Sequence, residues 1–178
     1  MSCPAEACDQ ITLFDLQPNG AMKDAYYWSE GDNGPEWEDG NYDPIPDKTF
    51  KCGTAFWLQC DTKGNVLVSS GEVNKEDVET ELNSGDNGSI TLVGNTSPVP
   101  VYIQDILCPA THTDQITLFK LNPNGSMKEA FYWSEDGEPE WEDGNYDRAD
   151  VSFGPGETFW IQCDVPGATI TFPGVELK

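Results

Sequence analysis

The sequence predicts an all-β protein built from two tandem copies of a β-sandwich-like repeat. One observation is a strong internal duplication, which indicates that one folding unit occurs twice. Another is the turn content, because 17 Gly and 13 Pro in 178 residues interrupt the chain too often for long helices. The third is the presence of short β-prone runs between these turns, with no helical period of useful length.

Three blocks of sequence recur in the same order. The first block is identical at 17 of 22 positions, and the spacing between the copies falls from 105 to 103 residues, so insertions lie in the loops. The blocks are residues 9–30 and 114–135, the PEWEDGNYD runs at 35–43 and 139–147, and the FWxQCD-containing runs at 55–61 and 158–164. The repeats predict a first copy at residues 1–74 and a second at 89–178. Residues 75–88 are expected to form an acidic linker with one helical turn at 75–82.

Each copy begins with a predicted hairpin. In the first copy, ITLFDL and AMKDAYYWSE flank a Gln-Pro-Asn-Gly turn, in which Pro sets φ and Asn and Gly tolerate positive φ. A second strand pair follows, with FKCGTAFWLQC and NVLVSSGEV joined through residues 61–64. In the second copy ETFWIQC and ATITFPGVEL are expected to pair in the same way.

The copies are unequal at their start. Residues 89–107 precede Cys108 and predict two short strands, whereas Met1 stands only two residues before the equivalent Cys3. Either the sequence begins inside a longer protein, or another chain adds a strand to the open sheet of the first copy. The second alternative predicts self-association.

Charge excludes several partners. The chain has 9 Lys and Arg against 32 Asp and Glu, a formal charge of −23, which disfavours nucleic acid and anionic membrane surfaces. No apolar run approaches the roughly 20 residues that span a bilayer. MSCPAEACDQ lacks the basic and apolar regions of a signal peptide.

Six cysteines are compatible with fifteen pairings, and the duplication selects among them. The second copy contains only Cys108 and Cys163, so a self-contained unit pairs them and, by equivalence, Cys3 with Cys60. Cys8 and Cys52 are both absent from the second copy and are expected to pair. Three bridges indicate an extracellular or cell-surface location. The alternatives are buried thiols and a zinc site, and the latter lacks CxxC spacing.

The acidic loops are candidate calcium sites. Each has an Asp-x-Asn-x-Asp run, and such alternating oxygen ligands on a Gly-containing loop suit Ca²⁺. The candidate ligands are Asp39, Asn41 and Asp43 in the first copy and Asp143, Asn145 and Asp147 in the second. The alternative is a solvated acidic loop, since Pro44 and Arg148 stand where a calcium loop usually has Gly.

Four tryptophans and two glutamines are candidate glycan-binding residues. If Cys60 points inward, strand alternation places Trp57 and Gln59 together on the opposite face, and likewise Trp160 and Gln162. A Trp beside an amide suits a sugar ring and its hydroxyls, and Trp37 and Trp141 could join this surface. The alternative is burial beneath a second sheet.

Catalysis has little support. The single histidine, His112, stands where the other copy has Ala7, and no phosphate-binding glycine loop occurs. The sequence therefore predicts that the protein is not an enzyme.

The second copy resembles a repeat of uncharacterised secreted or surface proteins of bacteria. The likeness is carried by LVGN at 92–95, DQI at 114–116, WEDGNYD at 141–147, PGETFWI at 155–161 and ATITFPGVEL at 168–177. The resemblance implies a β-rich extracellular module without an assignable activity. The resulting expectation is a non-catalytic structural or adhesive surface module that could self-assemble into a fibre or lattice. The alternative is a carbohydrate-binding module that calcium could assist.

Overall fold

The protein is all-β, as predicted. The computed structural model describes residues 1–17, 19–32, 34–46, 48–50, 54–64, 67, 75–83 and 89–175. Within these ranges the chain forms thirteen strands and three short 3₁₀ turns, with no α-helix. No described helix has the length and apolarity needed to cross a bilayer. The chain divides into two compact units, the first containing most of residues 1–72 and the second most of residues 73–178.

The first unit is a four-stranded sheet. Its strands are β1 (Ile11–Leu16), β2 (Met22–Gly31), β3 (Gly34–Glu38) and β4 (Phe56–Cys60), in the order β3-β2-β1-β4. β1 and β2 form the predicted hairpin, with Thr12 opposite Tyr27. Gly20, at the end of the Pro-Asn-Gly turn, has a φ of 79°, which glycine adopts without a steric cost.

The second unit adds further strands to an equivalent sheet. Its strands are β5 (Val78–Glu81), β6 (Ser89–Gly94), β7 (Val101–Tyr102), β8 (Ile116–Leu121), β9 (Met127–Asp136), β10 (Glu138–Glu142), β11 (Ser152–Phe153), β12 (Thr158–Cys163) and β13 (Thr169–Phe172). The main sheet has the order β10-β9-β8-β12-β6, and two short pairs, β11-β7 and β13-β5, complete the sandwich-like unit. The two strands predicted before Cys108 are therefore confirmed as β6 and β7.

The larger core lies in the second unit. Alternate residues of β12 are fully buried, namely Phe159, Ile161 and Cys163, as the strand period predicts. Phe159 contacts Phe153 and Phe172, with ring centroids 4.6 and 5.8 Å apart. The described core of the first unit is smaller and centres on Ile11 and Trp28.

Two predictions of local structure are wrong. Residues 75–82 contain no helical turn, because Val78–Glu81 pair with β13 and place Leu82 in the core of the second unit. β12 does not pair with β13, because β8 and β6 already occupy both of its edges. The chain instead crosses at Gly167, where φ is 74°, into the other layer. The predicted strand at residues 65–73 of the first copy lies, apart from Leu67, outside the described residues.

Candidate functional site

The first unit has a groove on the face of its sheet. It has a volume of about 330 Å³, within the size range of ligand-binding clefts. Leu13, Tyr26 and Trp28 form its floor, because alternate residues of β1 and β2 point to this face. Its walls are Met1, Ser2, Pro35, Glu36, Trp37, Ile45, Pro46, Lys48 and Phe50.

One wall of the groove is polar. The Lys48 amine donates to the Tyr26 hydroxyl at 2.6 Å and to the Asp15 carboxylate at 3.0 Å. The Tyr26 hydrogen bond, and then Asp15, raise the pKa of Lys48 above its ordinary value. Asp15 is buried, so Lys48 compensates a carboxylate whose desolvation would otherwise be costly.

The matching surface of the second unit is covered by its own chain. Leu118, Phe131, Trp133, Trp141 and Phe153 stand where the first unit has Leu13, Tyr26, Trp28, Trp37 and Phe50. Across them run residues 101–106, and Ile103 and Ile106 are completely buried. Main-chain bonds hold this segment, since β7 pairs with β11 and the Ile103 amide donates to the Val151 carbonyl at 3.0 Å.

The Gln104 side chain fastens this segment to the edge of the sheet. Its Nε2 donates to the carbonyls of Trp141 and Ala149 at 2.8 and 2.9 Å, and its Oε1 accepts from the Trp141 amide at 3.1 Å. The Trp141 indole donates to the Ile106 carbonyl at 2.7 Å. In the first unit Met1 takes the place of Ile106, and its carbonyl accepts from the Trp37 indole at 3.1 Å.

The two acidic loops are Asp-anchored turns. The Asp39 Oδ1 accepts from the amides of Asn41 and Asp43 at 2.8 and 3.1 Å. In the second unit Asp143 accepts from Asn145 and Asp147 at 2.7 and 3.2 Å. The hydrogen bond from the Asn41 amide, followed by that from Asp43, lowers the pKa of Asp39. The bonds from the amides of Asn145 and then Asp147 lower the pKa of Asp143 in the same way.

Each of these turns presents a tyrosine that the Asp-x-Asn-x-Asp pattern does not predict. Tyr42 and Tyr146 both have φ of 64°, in the left-handed region, and are 76% and 83% exposed. Among the described residues no group of three His, Cys, Asp or Glu side chains is arranged to hold a metal ion. The turn alone explains Asp39 and Asp143, and calcium at either loop stays a prediction.

The aromatic faces differ between the units. Trp141 is completely buried, so the prediction that it joins a ligand surface is wrong: residues 101–106 cover it. Trp37 is half-buried and lines the groove. Trp160 and Gln162 are half-buried, and the Trp160 Nε1 is enclosed without a hydrogen-bond partner among the described residues.

On β4 of the first unit the predicted alternation does not hold. Trp57 is half-buried and Gln59 is exposed, but Leu58 is also 41% exposed and Cys60 is exposed. The counterpart of β13 that would cover Leu58 falls largely outside the described residues. Trp57 and Gln59 remain the accessible part of the predicted glycan surface.

Among the described cysteines none of the predicted disulfides is seen. Cys3, Cys8, Cys108 and Cys163 are present as thiols, and Cys52 lies outside the described residues. Burial raises the pKa of Cys108 far above its ordinary value, and the nearby Cys163 adds to the effect. Burial likewise raises the pKa of Cys3, with a contribution from Cys60. Cys108 therefore lies near Cys163, and Cys3 near Cys60, as the predicted pairing requires.

The groove could not be found from motifs. Tyr26, Lys48 and Phe50 are separated in sequence and belong to no recognisable pattern. The available signal was the inequality of the two copies, since residues 89–107 have no counterpart before Cys3. Comparisons with protein families, with curated proteins and with solved structures found no match to this chain.

Proposed function

We propose that this protein is a non-catalytic structural or adhesive module of an extracellular or cell-surface assembly, and that its first unit accepts an extended segment from a neighbouring polypeptide. The observation that carries the proposal is the groove of the first unit, which lies where residues 101–105 lie in the second unit, with Met1 in the place of Ile106. Strand addition to an incomplete sheet is an established way to join surface subunits.

The backbone of the first unit supports this role, in addition to the apolar surface of the groove. Residues 151–153 of the second unit pair with residues 101–103, whereas the matching residues 48–50 belong to no described strand. A strand supplied from outside could pair with residues 49–50, as residues 101–102 pair with residues 152–153 in the second unit. We also propose that the two units are copies of one repeat, because Thr12 faces Tyr27 exactly as Thr117 faces Tyr132.

The cysteine chemistry supports a structural role. A nucleophilic cysteine needs a lowered pKa, but burial raises the pKa of Cys3, Cys8, Cys108 and Cys163. Neighbouring cysteines suit disulfide formation instead. We therefore propose that Cys108 pairs with Cys163, and Cys3 with Cys60, in an oxidising compartment. Each bridge would stabilise the fold by about 2–4 kcal/mol.

A self-complemented chain gives the sharpest test. Because Met1 matches Ile106, the sequence of residues 89–105 placed directly before Met1 continues in register into the first unit. A displayed peptide library is selected on the immobilised protein and counter-selected on the self-complemented chain. We expect peptides that bind the protein and not the self-complemented chain. Equal recovery on both chains would show that the first unit is not an acceptor.

A glycan-binding role remains the second candidate. It is favoured by the accessible pair formed by half-buried Trp57 and exposed Gln59, whose side-chain amide donates to Asp61 at 3.3 Å. An aromatic ring next to an amide suits stacking on a sugar with bonds to its hydroxyls.

A further inference from the structure

Asn-x-Ser sequences occur at three places in the chain, and the fold treats their asparagines differently. The sequences are residues 87–89, 95–97 and 124–126. Asn-x-Ser, in which x is not proline, is the acceptor pattern for N-linked glycosylation when the asparagine lies on a surface loop of a secreted protein. Asn87 lies outside the described residues, so the structure distinguishes between Asn95 and Asn124.

We infer that Asn124 is a site of N-linked glycosylation, which takes its glycan from a polyprenyl diphosphate-linked oligosaccharide as the chain is exported. This inference rests on the extracellular location in the proposed function, because an exported chain is the one that meets such a donor. In the transfer, the Asn124 Nδ2 forms a bond to C1 of the first sugar and the bond between C1 and the diphosphate oxygen breaks. The diphosphate leaves with the electron pair of that bond, and one amide proton passes to a base of the transferase.

The Asn124 side chain is presented by a hairpin turn. Residues 122–126 join β8 to β9, and Asn124 and Ser126 are both exposed. The Asn124 Oδ1 accepts from the amide and the hydroxyl of Ser126 at 3.1 and 2.7 Å. Within the described part of the chain the Asn124 Nδ2 has no hydrogen-bond partner. The nitrogen that would carry the sugar is therefore not committed to the protein, and the hydroxyl of the acceptor pattern lies beside it.

The first unit shows that the hydroxyl is not needed for the turn itself. Its equivalent turn has Ala21 in place of Ser126. The closing main-chain hydrogen bond, from the Gln17 amide to the Ala21 carbonyl, is 2.8 Å long, equal to that in the second unit. The glycine of each turn has a φ of 79°. The Ser126 hydroxyl thus completes the acceptor pattern in the second unit alone, and we expect no glycan at Asn19.

Asn95 has the same pattern but is committed to the folded chain. It is 7% exposed, and its Nδ2 donates to the carbonyls of Val99, Phe153 and Gly154 at 3.2, 2.9 and 3.0 Å. Its Oδ1 accepts from the Ser97 amide at 2.8 Å. A sugar on this nitrogen would break these bonds and bring a large polar group into the interior, so chains modified at Asn95 should not reach the folded state.

The test uses the full chain, exported from cultured animal cells behind a cleavable secretion leader, with glycan trimming blocked. Trypsin releases residues 121–128, which contain Asn124 and neither of the other two sequences. An endoglycosidase leaves one N-acetylglucosamine on each modified asparagine, a mass that spontaneous deamidation of Asn-Gly cannot imitate. We expect this mass on residues 121–128 in most of the secreted chains, and none on Asn95.

Ser126→Ala is the matched variant, because it gives the second turn the Asn-Gly-Ala sequence with which the first turn folds. It should lose the sugar entirely, whereas Ser126→Thr should keep it. Secreted protein whose residues 121–128 carry no sugar would overturn the inference. So would a sugar on these residues that persists after Ser126→Ala.

The outcomes separate this inference from the proposed function, because the leader brings the chain to the transferase whatever its natural location. If residues 121–128 carry the sugar but the library selection recovers the same peptides on both chains, the glycosylation site stands and the first unit accepts no segment. If the selection yields peptides specific for the open first unit while residues 121–128 carry no sugar, the proposed function stands and the glycosylation site is wrong.

Discussion

Replacing Gln104 by alanine tests how much its side-chain hydrogen bonds stabilise the second unit. The change removes three hydrogen bonds between the side chain and the backbone. The Trp141 carbonyl keeps a partner, because the Ala149 amide still donates to it at 2.8 Å. The Trp141 amide and the Ala149 carbonyl lose theirs, and a buried group without a partner costs about 1–3 kcal/mol. We therefore expect a loss of about 2–4 kcal/mol in the free energy of unfolding, after partial access of water.

Urea unfolding measures this loss, and thermal unfolding checks it. At this chain length about 1 kcal/mol corresponds to about 2–4 °C, so the melting temperature of the Gln104→Ala variant should fall by about 4–16 °C. Gln104→Glu keeps the shape of the side chain but directs an acceptor at two carbonyl oxygens, and should cost at least as much. Gln115→Ala, at an exposed glutamine, is the matched control and should stay within about 0.5 kcal/mol. If Gln104→Ala and Gln115→Ala unfold alike, the hydrogen bonds of Gln104 contribute nothing to stability and this reasoning is refuted.

Three further predictions concern the cysteines, the acidic turns and the exposed tryptophan. Protein kept under oxidising conditions should yield a tryptic peptide that joins Cys108 to Cys163, and loss of that one bridge on reduction should lower the melting temperature by about 4–16 °C, from about 2–4 kcal/mol; an unchanged melt would contradict the pairing. The pKa values of Asp39 and Asp143 are lowered in the folded state, so their contribution to stability is present above the ordinary pKa of aspartate and is lost as pH falls through the lowered value. The Asp39→Asn/Asp143→Asn variant should therefore lose less stability than the parent between neutral and acid pH, as followed by thermal unfolding. Calcium at the same loops requires in addition that chelation at matched ionic strength lower the melting temperature, and an unchanged value leaves only the turn. Trp57→Ala should abolish retention on a glycan affinity gel while Trp160→Ala, whose indole nitrogen is enclosed, keeps it; retention by the Trp57→Ala variant would exclude that surface.

Strand content and the hairpins were predictable because they depend on local chemistry. The Pro-Asn-Gly turn and the flanking β-prone runs determine the β1–β2 pair without reference to the rest of the chain. Which sheet a strand joins was harder to predict from the sequence. β13 has the composition of a strand that follows a hairpin turn, but both edges of β12 are already occupied by distant strands. The β-propensity of residues near β13 cannot show that distant strands compete for the edges of β12.

The candidate site shows the same limit more sharply. Trp37 and Trp141 lie in identical PEWEDGNYD runs, but one lines a groove and the other is completely buried. Their own neighbours cannot distinguish them, because the difference is made by Ile103 and Ile106. The acidic turns illustrate the opposite case: Asp39 and Asn41 have the composition of ion ligands, but the nearest donors for Asp39 are the amides of its own loop.

The position of residues 89–107 between the two units has a consequence for biosynthesis. Chains emerge from the ribosome with the N-terminal part first, and domains fold as units during synthesis. This segment therefore appears beside an open first unit before β8, β9 and β12 of its own sheet exist. We expect it to dock there transiently and to be transferred when the second sheet forms, so that refolding of the full chain includes a slow phase. That slow phase should be absent from the self-complemented chain, because the groove of its first unit is already filled.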